Sequence, residues 1–131
     1  MRYRLTLALV AVIALAGCLG GGGSTSDTPR PACNAENCVY YSDSGFSPER
    51  IVIQQGESVT WVSTGPDMWV ASSIHPSHRE YGVDAQGTPI FDQLGVGKRY
   101  TFQFNKTGTW KYHNHVLAAH TGTVVVRSGQ Q

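Results

Sequence analysis

The stretch Arg99–Val126, RYTFQFNKTGTWKYHNHVLAAHTGTVVV, decides how the rest of this chain is read. Tyr100, Phe102 and Phe104 alternate with Thr101 and Gln103, the period of a strand with one buried face. Asn105-Lys106-Thr107-Gly108 then turns the chain. The extended runs Thr109–His113 and Gly122–Val126 follow as a hairpin-like pair. His113 ends the first run and His115 and His120 stand between the two; these are three of the chain's five histidines. Residues i and i+2 of a strand share a face, so His113 and His115 present two imidazoles side by side while the strand stays extended.

Working outward, Val39–Tyr41, Arg50–Gln55, Val59–Ser63 and Met68–Ser72 read as further short strands, and residues 73–88 as a long polar loop. No segment has a helical period and no repeat is present. This is the pattern of an all-β sandwich of about seven or eight strands. The remaining histidines, His75 and His78, sit in HPSH, where Pro76 imposes a turned or extended backbone that lets them converge. Two histidine clusters in a small β domain point to a metal centre; a hydrogen-bonded polar cluster is the alternative. Neutral imidazole is the commonest metal ligand, and nitrogen donors without a thiolate suit Cu(II) first and Zn(II) next. His120 is the weaker ligand candidate, equally readable as a rim residue. Met68 is either core filler or an axial thioether donor.

The chain opens MRYRLTLALVAVIALAGC: Arg2 and Arg4, then an apolar run over Leu5–Ala16 too short to span a bilayer. Its end, LAGC, resembles a prokaryotic lipobox. Residues 1–17 are then a lipoprotein signal peptide, Cys18 is the lipidated residue, 18–32 are that cysteine and a flexible Gly/Ser/Pro linker, and 33–131 form the domain. Plain secretion with cleavage nearby is the alternative. A lipoprotein would be held at the outer face of the cytoplasmic membrane or in the periplasm. Cys33 and Cys38, in CNAENC, are expected to form a disulfide in that oxidising compartment; a two-thiolate metal site there would lack further ligands. Ten basic and nine acidic residues nearly balance, which argues against a nucleic-acid surface.

GFSPERIVIQQGESVTWVS (Gly45–Ser63), LGVGKRYTFQFNKTGTWKYH (Leu94–His113) and GTVVV (Gly122–Val126) resemble, in order, segments of the cupredoxins, the plastocyanin/azurin-like blue copper superfamily. The resemblance implies an antiparallel Greek-key β-sandwich and a copper-binding protein of electron transfer or copper holding and delivery. Its partners would be a copper ion, a redox or copper-trafficking protein, and the membrane through the lipid. The site departs from the family pattern. Six residues after Gly108, where blue cupredoxins carry the copper cysteine, stands Asn114; where they carry the first histidine stands Met68. A blue site needs two histidines and a thiolate, so none is expected. The GTWKYHNH segment is instead similar to the His-x-His of multicopper oxidase first domains. A metal-free structural module and a small copper oxidoreductase are the competing functions; the expectation is that the chain is not an enzyme.

Overall fold

A computed structural model describes residues 32–129. The signal peptide, Cys18 and nearly all of the linker lie outside the described residues.

Eight strands follow one another: β1 (Cys38–Ser42), β2 (Gly45–Ser47), β3 (Arg50–Gln54), β4 (Ser58–Ser63), β5 (Val70–Ser72), β6 (Arg99–Gln103), β7 (Gly108–Asn114) and β8 (Leu117–Arg127). They form two four-stranded sheets, ordered β2-β1-β4-β6 and β3-β8-β7-β5. The sandwich is the expected one, with mixed pairing inside it. β4–β6, β5–β7 and β7–β8 are antiparallel, whereas β1–β4 and β3–β8 are parallel. Parallel neighbours need a crossover. Here the chain supplies it by passing between sheets: β3 lies between β1 and β4 in sequence but in the other sheet. A disulfide joins Cys33 to Cys38, the first residue of β1.

The two inner faces meet over an aromatic core. Trp61 of β4 is fully buried and its ring packs edge-on against Tyr112 of β7 at 5.2 Å between centroids. Phe91, Tyr100 and Phe104 surround the same indole. Each such ring removes roughly 150–250 Å² from water, so this cluster dominates the cohesion of the sandwich. Tyr112 lies flat across Gly122, its register partner on β8. A Cβ at Gly122 would fall 2.3 Å from the phenol, so only glycine leaves room for the ring.

Alternation along two strands of the second sheet positions everything that follows. Val70 of β5 and Tyr112 of β7 point into the core. Asn114 shares that inner side, since its amide reaches the core residue Tyr41. The residues between them, Ala71 and His113, therefore point to the outer face. Ala71 and His113 are register partners, and Ala71 is bridged in turn to Asp92. A row Asp92–Ala71–His113–Thr121 thus crosses the outer face, with small, buried Ala71 between the acid and the imidazole.

Candidate metal centre

His75, His78, His113 and His115 converge on this row, each offering one ring nitrogen within 4.8 Å of the others. β7 supplies His113. The turn that follows β7 supplies His115, whose N–H donates to the carbonyl of Trp69 at 2.7 Å. The loop after β5 supplies His75 and His78. His78 adopts a left-handed backbone at φ 54°, a conformation uncommon for a non-glycine residue and often found where function holds it. Its N–H donates to the carbonyl of Ile74, closing the turn that brings the two loop histidines together.

Asp92 fixes His78. Its Oδ2 accepts from His78 Nδ1 at 2.5 Å, and its Oδ1 accepts from Trp69 Nε1 at 2.6 Å and Leu94 N at 2.7 Å. Because His78 Nδ1 is committed as a donor, its Nε2 is left to face the cluster as a lone pair. That nitrogen lies 3.0 Å from His115 Nδ1, and His75 Nδ1 lies 3.1 Å from His113 Nε2. Donor atoms held about 2.0 Å from one ion stand roughly 3 Å apart around it. The two pairs already have that spacing, so the donor set fits a four-nitrogen metal site. Trp69 walls one side, its indole 4.5 Å from the His115 ring.

Electrostatics favour the neutral form of His113 and His115, the form that ligates metal. Burial, then the neighbouring His78, His75 and His115, push His113 down to about 4; Asp92 opposes this more weakly. His115 is lowered by the same causes, desolvation first.

Of the remaining candidates, Met68 lies in the core and His120 stands apart from the histidine group. Met68 is fully buried in the hydrophobic core just before β5, its N–H and carbonyl paired with Gly97. His120 stands outside the group because β8 bulges. His113 pairs with Thr121 but Asn114 pairs with Leu117, which throws residues 118–120 out of register. His120 Nδ1 then accepts from the Tyr41 hydroxyl at 3.0 Å, and its ring covers Gly45. Tyr41 in turn accepts from Asn114 Nδ2 at 2.7 Å. The position where a blue cupredoxin has its thiolate is thus taken up by an amide bonded within the core. Asp92 and Trp69 were not singled out in the sequence. A lone acid in PIFDQLG carries no local signal, since its role comes from cross-strand neighbours.

No protein-family model and no curated protein sequence matches the chain. Several solved structures do. A reduced Cu(I) form of an amicyanin variant aligns with a TM-score of 0.56 at 20% identity, over 73% of this chain and 85% of that one. A purple cupredoxin from Nitrosopumilus maritimus aligns with a TM-score of 0.52 at 21% identity, over 70% of this chain and 100% of that one. Two mixed sheets in this order, with the histidine group at the end of β7, therefore make the described domain a cupredoxin fold.

Proposed function

We propose that this is an exported, lipid-anchored, copper-binding protein whose nitrogen-only centre holds copper for delivery. The observation that carries the reading is the convergence of four imidazole nitrogens within 4.8 Å, one of them oriented by a buried carboxylate. Copper bound there would supply a Cu(II)/Cu(I) couple; without a thiolate it lacks the ligand that tunes blue copper for rapid exchange. The protein's own part is to hold four imidazoles together, to fix the His78 ring through Asp92, and to wall one side with Trp69. Electron transfer is the second use of the same centre, favoured by the Cu(I) and purple-copper neighbours of the fold. A metal-free module has one observation in its favour, the His75–His113 and His78–His115 hydrogen bonds, which satisfy the rings without an ion.

Titrating the domain with Cu(II) under optical and paramagnetic detection separates these readings. The expected result is stoichiometric binding, a weak broad visible band, nitrogen hyperfine structure and no intense blue colour. Absence of binding leaves the module reading. Asp92→Asn should weaken copper affinity by about 10–100-fold, the usual cost of losing an outer partner of a ligating histidine. Calorimetry checks this, and an unchanged affinity removes Asp92 from the centre.

The proposed anchoring rests on Cys18. Cys18→Ser should move the protein from the membrane fraction to the soluble one or block its processing; a variant that stays membrane-bound and normally processed ends the lipoprotein reading. The geometry of β1 suits a tether. Its first residue pairs with Thr60, while Tyr41, three residues on, reaches the Asn114 turn. A linker entering at Cys33 would hold the histidine end away from the membrane.

A further inference from the structure

We propose, on the copper reading above, that His75 is the exchangeable ligand of the centre. Copper would enter and leave by replacement of this one imidazole, while His78, His113 and His115 keep hold.

The four histidines differ sharply in how they are held. His113 is 3% exposed and sits in β7 between two paired strands. His78 is 4% exposed, with its ring donating to Asp92 and its N–H bonded to Ile74 O. The partly buried His115 is fixed at both ends: its N–H donates to Trp69 O and its ring lies on the Trp69 indole. The His75 ring has no such restraint, although its backbone lies in the turn closed by the His78 N–H. It is exposed, follows Ile74, which is 71% exposed, and precedes the exposed Pro76 and Ser77. The one hydrogen bond of its ring goes to His113 Nε2, itself a donor atom of the proposed centre. Ligation therefore removes the hydrogen bond that orients His75 in the metal-free state, leaving it only ring contacts with the other histidines. A side chain that must be ordered at the moment of binding gives back part of that entropy on release. The other three are ordered by the fold before the ion arrives.

The exchange is a ligand substitution with no change in oxidation state. The bond from His75 Nδ1 breaks as a lone pair from an incoming imidazole or carboxylate donor takes its place, and His75 leaves as a neutral ring. Approach is from the His75 side, because the sheet, Asp92 and Trp69 close the others.

The test uses copper-loaded wild type, His75→Ala and His78→Ala, with copper stoichiometry, paramagnetic spectra and the rate of transfer to EDTA as readouts. His75→Ala should still bind one copper, show one nitrogen fewer, and pass copper to EDTA several-fold faster than wild type. Millimolar imidazole should restore its four-nitrogen spectrum. His78→Ala should lose copper altogether. The inference is overturned if His75→Ala fails to bind copper while remaining folded by thermal unfolding. It is also overturned if the spectrum and transfer rate are those of wild type. A wild type that binds no copper is a different result: it removes the copper reading itself, and this inference with it.

Discussion

Replacing His113 by alanine should leave a folded domain that no longer retains copper at concentrations saturating the wild type. His113 is the ligand on which the others depend. It stands in the middle of the outer-face row, and its Nε2 makes the hydrogen bond that orients the His75 ring. Losing it costs one donor directly and disorders a second, so the fall in affinity should exceed the about 10–100-fold expected for an outer partner. His120→Ala, by contrast, should leave copper affinity unchanged, because that ring is bonded to Tyr41 and lies outside the group. Calorimetry on the two variants decides the matter; equal retention of copper by His113→Ala and wild type would take His113 out of the centre.

The same residue gives the metal-free protein a pH signature. Its pKa falls from 6.5 to about 4 on folding, mainly through burial. The unfolded chain therefore binds more protons than the folded one between these values, and stability is lost as pH falls from about 6.5 to about 4. That shift corresponds to no more than about 3 kcal/mol, part of it owed to the three neighbouring histidines. Below about 4 both states carry the proton and the loss stops growing. Urea unfolding across this window should show the decline, and His113→Ala should flatten it. A His113 ring that titrates near 6.5 in the folded, metal-free domain would contradict the account.

How much of this was legible beforehand follows from the range of each interaction. The alternation in Arg99–Phe104 and the His-x-His spacing are local, and both survive into the structure: Tyr100 and Phe102 face the core, and the two histidines meet in one group. HPSH was readable as a converging pair because Pro76 restricts its neighbours. The strand Gly45–Ser47 was missed, being three residues that pair only because β1 turns back on them. The parallel pairings of β1 with β4 and β3 with β8 depend on which sheet each strand joins, and periodicity does not encode that. Asp92 illustrates the limit best. Nothing within PIFDQLG distinguishes it from a solvated loop acid. Its burial comes from distant neighbours: Ala71 is bridged to it, and His78 and Trp69 bond its two oxygens.

Asn114→Leu should cost the fold about 3 kcal/mol or more and take copper affinity down with it. The amide of Asn114 is a clamp on the ligand-bearing turn. Its Oδ1 accepts from Trp69 N at 2.9 Å and Val116 N at 3.2 Å, and its Nδ2 donates to Tyr41 at 2.7 Å. Leucine fills a similar volume but offers none of these bonds. Each buried group left without a partner costs about 1–3 kcal/mol, and two of the three lie in the segments that carry His115 and its Trp69 wall. The turn would loosen where preorganisation matters most. Asn114→Cys makes the complementary point. It restores the residue type that the cupredoxin resemblance leads one to expect, yet copper should bind without the intense charge-transfer band of a thiolate. The side chain at 114 points inward to Tyr41, whereas the imidazole of His113 leaves β7 on the opposite face. One residue of displacement along a strand moves a ligand through the sheet. Visible absorption of the copper-loaded Asn114→Cys protein is the measurement. A strong thiolate band would mean that position 114 reaches the metal, and that the histidine centre and the interior position share one side of the sheet after all.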